Sequence, residues 1–418
     1  MIKKIIQLLI IVIIISIVFY TALSLSNNHS KSSGYLIQKN NNYNLIKNFS
    51  TTKRYFQIIK SLDNYFYNEF KKGLFSGNIL ISIKGQIIYT NAFGWANKNK
   101  KELINTNTIF QLGSMSKQFT AIAILQLVSK GVLSLDDEVS KFYPDFPYQG
   151  ITIRMLLTHR SGLPNYIYQF ENSTDIDKNS LITTQQMVHY LIKNKEKEYF
   201  KPNKKFQYNN TGYALLAAII EKVTGLSFEE YLRKNIFNPL KMNNTFFYTD
   251  IYNGKVDSSL HIATGYLSPK HEAGFFYLNG ILGDKGLFSS LKDLHTWDTS
   301  LYKDYILTKN WIDSALTPKT KTNRANIFYG YGWKIYSLPD STTIQFHSGW
   351  WQGYQSILMR IPKDTISVIV LKNRKTAHPL NQMQIIKIFY PNINFKKLKI
   401  SNKELLESNT NNKSITIS

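Results

Sequence analysis

Apolar positions along this chain change their spacing several times, and each change marks an element. Residues 5–25 form an uncharged apolar run behind Lys3 and Lys4. A run of about 20 residues can span a bilayer, while Ala22-Leu23-Ser24 ahead of Asn27 and Asn28 offers a small-residue cleavage site. Residues 1–26 therefore read as a signal peptide or a membrane anchor, and either implies export to an extracytoplasmic or periplasmic setting. Residues 27–50, rich in Asn, Ser and Lys without periodicity, predict a polar linker. From 54 to 72, Ile58, Ile59, Leu62, Phe66 and Phe70 share one helical face. Residues 78–83 and 86–93 are β-rich runs joined across Lys84-Gly85, a hairpin signal.

Residues 111–131 differ from all of these. Phe119, Ile122, Ala123, Ile124, Leu125, Leu127 and Val128 cover every side of a helix, as in a helix packed all round. Gly131 suits the left-handed position past its end. Beyond it the pattern is helical and loop-rich, with helices predicted near 153–157, 185–194, 211–224 and 228–235. Strand signals return at 331–336, 342–347, 354–361 and 366–371, and an amphipathic helix closes the run near 379–390. An amino-terminal hairpin and carboxy-terminal strands around a helical middle predict an α/β (α+β) fold. One antiparallel β-sheet is built from both chain ends and flanked by helices, with a mostly α-helical lobe inserted over about 132–275. The domain spans residues 51–394, and residues 395–418 form a polar tail.

Composition changes this picture little. The 418 residues carry 51 Lys and Arg against 27 Asp and Glu, a formal charge of +24. That bias attracts polyanions, but the lysines are scattered among Asn and Ile instead of forming a basic stripe with interleaved aromatics, so nucleic acid is not an expected partner. Absence of cysteine removes disulfides, thiolate metal sites and a lipidated cysteine. The histidines show no short ligand spacing, so neither a metal nor a cofactor is expected.

Three motifs carry candidate chemistry. Ser114 opens the apolar helix, and Lys117 falls on the same face one turn later. A serine hydroxyl is a weak nucleophile until a base takes its proton, and a desolvated, neutral lysine at a helix start suits that role. The same Ser-x-x-Lys spacing recurs at Ser50, Ser289 and Ser300, but only Ser114 leads into a core helix. Tyr208 and Asn210 sit on a turn before an apolar helix, where phenol and amide can share one cleft. His347-Ser348-Gly349 closes a strand run, and Gly349 before Trp350 allows close backbone approach.

In this order, the motifs resemble the serine β-lactamase and penicillin-binding-protein family. The resemblance is nearest to its branch of class C β-lactamases, D-alanyl-D-alanine carboxypeptidases, D-aminopeptidases and related esterases. The stretches 156–163 and 283–290 look similar too. Carried onto matching positions, the resemblance implies Ser114 as acyl-accepting nucleophile, with Lys117 and Tyr208 sharing general-base and general-acid roles. Asn210 would orient the substrate amide, and the backbone N–H groups of Ser114 and Trp350 would form the oxyanion hole. His347, with Ser348 and Gly349, would help to bind a substrate carboxylate, weakening as the imidazole loses charge between pH 6 and 8. The family fold has its active site in a cleft between sheet and helical lobe. The implied substrates are D-amino-acid-containing peptides, cell-wall peptides among them, or small esters and amides. His-Ser-Gly in place of Lys-Thr-Gly implies weak or no β-lactamase activity. The alternative is a catalytically silent penicillin-binding or sensor protein with the same pocket.

Overall fold

The computed structural model describes residues 52–391, apart from 325, 339–341, 375 and 377–381. The apolar amino-terminal run, the polar linker and the polar tail lie outside the described residues. No helix among those described is long and apolar enough to cross a membrane.

A large antiparallel sheet organises the molecule. Its strands are β1 (Gly77–Ile83), β2 (Gln86–Phe93), β3 (Thr320–Lys321), β4 (Ile327–Tyr329), β5 (Lys334–Ser337), β6 (Thr343–Trp351), β7 (Tyr354–Ile361) and β8 (Ile366–Lys372). They lie in the order β3-β4-β5-β6-β7-β8-β1-β2. Strand β1 therefore pairs with β2 across the hairpin and with β8 on its other edge, Leu80 facing Ile369 and Ile81 facing Val368. The turn between β1 and β2 holds Lys84 and Gly85 at φ of 51° and 74°, the double left-handed geometry that matches the twist of a tight hairpin.

Every residue of β1 and β8 is buried, because helices cover both faces of the sheet. Ile79, Ile81, Val368 and Val370 face one layer, where helices α1 (Thr52–Lys71) and α10 (Gln382–Phe389) contribute Ile58, Leu62, Phe66, Ile385 and Phe389. Leu80, Ile369 and Leu371 face the other. That second layer holds α2 (Lys117–Ser129) and α8 (Leu291–Ser300), where Trp297 stacks on Phe119 at 4.2 Å between ring centres. Between the two halves of the sheet the chain is mostly short helices. They include α3 (Ile153–Leu157), α4 (Tyr166–Asn172), α5 (Thr184–Asn194), α6 (Asn210–Thr224) and α7 (Phe228–Leu232), and α9 (Lys309–Ala315) follows α8.

Two predicted boundaries move. The helix expected over 111–131 begins with a short strand, Phe110–Gln111, and a 3-10 turn, Gly113–Ser116, before α2 proper starts at Lys117. Gly113 sits at φ 54°, and a β-carbon there would lie 2.9 Å from the Trp350 backbone nitrogen. A regular helix cannot pass that point. Similarly, β6 does not stop at His347 but runs through the motif to Trp351, because its pairing with β7 continues to Trp351 opposite Tyr354. The pairing with β5 ends at Phe346 opposite Lys334, so residues 347–351 lack a β5 neighbour on that edge.

Gly349 is the point at which strand and turn touch. A β-carbon on it would run into the Leu112 carbonyl and the Ser356 hydroxyl. Gly349→Ala should therefore destabilise the protein by about 1–3 kcal/mol, the range for overpacking a filled interior, measured by urea unfolding. An unchanged midpoint would show that strand and turn separate without cost.

Candidate active site

The candidate side chains come from several elements, each with its backbone fixed by contacts of its own. The Leu112 carbonyl accepts from the Ser356 hydroxyl at 2.6 Å and from Met115 N–H at 3.3 Å, while Leu112 N–H donates to Leu287 at 2.8 Å. This fixes the turn that presents Ser114, which is 8% exposed.

Lys117, the first residue of α2, is fully buried. Its amine lies 3.1 Å from Ser114 Oγ, 2.8 Å from Asn210 Oδ1 and 2.9 Å from the Asp284 backbone carbonyl. The last two atoms can only accept. They take both hydrogens of a neutral amine and leave its lone pair facing the Ser114 hydroxyl. Burial lowers the Lys117 pKa to about 7, with Asp284 opposing the fall and Lys285 adding to it.

The Tyr208–Asn210 turn is pinned by the loop ahead of α4. His159, held at φ 58°, accepts the Asn209 N–H on Nδ1 at 3.1 Å, and its carbonyl accepts from Gln207 N–H at 2.9 Å. Asn209 caps α6 by accepting from Thr211 N–H at 2.8 Å and donates to the Leu163 carbonyl. The His159 ring lies against Tyr208, with centres 4.2 Å apart. Tyr208 is half-buried, and its enclosed hydroxyl lies beside Ser114. Burial raises the Tyr208 pKa well above the usual phenol value, with proximity to Ser114 acting the other way. Tyr208 is a phenol, not a phenolate.

His347 departs from expectation. Its Nδ1 lies 2.8 Å from the Ser348 carbonyl, which only accepts, so Nδ1 carries the proton. Nε2 then accepts from the Tyr329 hydroxyl at 3.0 Å. Burial, followed by the charges of Lys334 and Lys117, holds its pKa well below the ordinary histidine value. A charged His347 meeting a carboxylate, with binding that fades between pH 6 and 8, does not fit this environment, since burial favours the neutral ring and both nitrogens are engaged. Ser348 and Trp350 are the partly exposed residues of the motif, and Gly349 is buried.

Sequence reasoning missed Lys334, at the start of β5. Its buried amine lies 5.7 Å from the centre of the Tyr208 ring, and burial, then Arg324 and Lys117, lower its pKa to about 7. A single charge inside the apolar run 331–336 was the available signal. His159 likewise lies within the stretch 156–163, to which no role was given. Of the other Ser-x-x-Lys serines, Ser50 lies outside the described residues, Ser289 Oγ pairs with Thr245 at 2.8 Å, and Ser300 donates to the Trp297 carbonyl at 2.7 Å.

Comparison with known proteins gives the chain a family. The family described as Beta-lactamase matches residues 58–389. Penicillin-binding protein 4* of Bacillus subtilis is 36% identical over 330 residues, which is 76% of this chain and 72% of that protein. Protein flp of Staphylococcus aureus is 28% identical over 348 residues, 76% of this chain and 64% of its own length. The structure of the octameric penicillin-binding protein homologue from Pyrococcus abyssi superposes with a TM-score of 0.69 at 29% identity, covering 84% of this chain and 79% of that one.

The Lys117 environment sets a pH dependence. An amine with a pKa of about 7 is charged below that value and neutral above it, and only the neutral form takes the Ser114 proton. Labelling of Ser114 by a serine-reactive phosphonate should therefore accelerate from pH 6 to 8 and then level off. A rate flat across that range, or still rising steeply at pH 9, would contradict the assignment.

Proposed function

The chain belongs to the beta-lactamase family of serine hydrolases and penicillin-binding proteins, and from that premise we propose that it is an exported enzyme that forms an acyl-enzyme on Ser114. The observation that carries this reading is the buried Lys117 amine, 3.1 Å from Ser114 Oγ, with its two other contacts on acceptor-only oxygens.

In the proposed cycle, Lys117 takes the Ser114 proton as Oγ attacks the substrate carbonyl carbon. The new oxyanion is held by the backbone N–H groups of Ser114 and Trp350, placed together by the close contact of Gly113 with Trp350. The tetrahedral intermediate collapses when the leaving group takes a proton from Tyr208, and the Lys117 ammonium gives the Tyr208 oxygen the proton it took from Ser114. Tyr208, with its raised pKa, serves as acid and relay, while Lys117 serves as base; the two roles divide instead of being shared. Water then attacks the acyl carbonyl by the reverse proton path and frees Ser114.

For substrates, the reading is a D-amino-acid-containing peptide or a small ester or amide. The buried Lys334 amine beside the Tyr208 ring favours one carrying a carboxylate near the scissile bond, as in carboxypeptidase-type cleavage. A neutral His347 in place of a lysine supports weak or no β-lactamase turnover. The intact contact between Lys117 and Ser114 weighs against a silent binder or sensor.

The test is covalent labelling followed by turnover. Wild-type protein incubated with a fluorescent penicillin should carry the label on the Ser114 peptide, and Ser114→Ala should lose both label and hydrolysis while keeping its thermal midpoint. Tyr208→Phe should slow turnover on the order of 10²-fold, as expected for loss of a positioned acid. Hydrolysis retained by Ser114→Ala would overturn the proposal.

A further inference from the structure

Behind Lys117 lies a buried charged cluster that the proposed cycle does not use. Asp284, Lys285 and Tyr166 are each no more than 2% exposed. The Tyr166 hydroxyl donates to Asp284 Oδ2 at 2.9 Å and accepts from the Lys285 amine at 2.7 Å. Lys285 also donates to the Ile281 carbonyl at 2.9 Å, stands 3.5 Å from Asp284 Oδ1 and lies over the Trp351 ring at 4.9 Å. The cluster joins α4, the 281–285 loop and the end of β6.

Its link to the site is direct. The Asp284 backbone carbonyl is one of the two acceptors that orient the Lys117 amine. Around that amine stand Tyr208 and Tyr213 by ring contact, with the charges of Asp284 and Lys285 and, across the cleft, Lys334, His159 and His347 acting on the same region. Of the charged groups, only Asp284 favours the ammonium form. An uncompensated Asp284 carboxylate would keep Lys117 protonated at neutral pH and remove the base.

Resting on the reading of Lys117 as base, we infer that Lys285 is a positioning residue for catalysis. Through Tyr166 it holds the Asp284 carboxylate and cancels its charge, so that Asp284 can supply its carbonyl to Lys117 without pinning a proton there. Burial raises the Tyr166 pKa well above the ordinary phenol value, so the hydroxyl stays a donor to Asp284 over the working range.

The experiment is the rate of fluorescent-penicillin labelling as a function of pH for wild type, Lys285→Met, Asp284→Asn and the double variant. Lys285→Met should move the midpoint of the rise to higher pH by about one pH unit or more. Asp284→Asn should move it lower, and the double variant should return close to wild type. If both single variants keep the wild-type midpoint and differ only in plateau rate, the cluster is merely structural and the inference fails. Should Lys285→Met not fold, Tyr166→Phe interrupts the same link and leaves Asp284 Oδ2 without its donor, so that more of the carboxylate charge acts on Lys117. It should shift the midpoint upward, and an unmoved midpoint there also refutes the inference. Failure of the underlying reading is distinct: Lys117→Met would then label at the wild-type rate with the same pH profile, whatever the Lys285 variants do.

Discussion

The removal of the Lys117 amine from water is the constraint on which the site depends. An ammonium buried among apolar groups and neutral carbonyls is costly, and the group relieves that cost by releasing its proton near neutrality. Deprotonation would be of no use if the lone pair pointed elsewhere. Asn210 and the Asp284 carbonyl settle its direction by occupying the two hydrogens. The same desolvation acts with opposite consequence on Tyr208, which keeps its proton, and on His347 and His159, which lose theirs. One dry cleft thus holds a neutral amine, a protonated phenol and two neutral rings, and only for Lys117 does that reverse the ordinary state at neutral pH.

Dryness in turn requires backbone contacts that no side chain could bridge. Gly349 against Leu112 and Gly113 against Trp350 bring β6 onto the turn carrying Ser114. Neither contact would be rigid on a loose scaffold. The pairing of β1 with both β2 and β8 binds the two ends of the domain into one sheet, and α8 anchors α2 behind it through Trp297, which stacks on Phe119 and donates to Gln118 at 3.1 Å.

Much of this was legible in the sequence wherever a pattern repeats over several residues. The hairpin over Lys84-Gly85, the strands near 354–361 and 366–371 and the helix with no polar face at 117–129 follow from periodicity and turn chemistry. What periodicity could not show depends on contacts distant in sequence. The delayed start of α2 comes from Trp350, and the extension of β6 through His347 comes from pairing with β7. Ser114, Lys117, Tyr208 and Asn210 converge as their motifs suggested. The protonation states did not follow, because they depend on neighbours such as Tyr329, Lys334 and Lys285, which no spacing rule places beside the cleft.

The central claim is that Lys117 titrates near neutrality in the resting protein, before any substrate arrives. Protein labelled with ¹³C at lysine side chains, followed by NMR from pH 5 to 11, tests it without relying on turnover. Lys334 and Lys372 are also lowered to about 7, so assignment rests on the resonance missing from Lys117→Met. The account predicts that this resonance has its midpoint within about one unit of pH 7. A midpoint near the ordinary lysine value, around pH 10, would contradict it and leave Ser114 without its base.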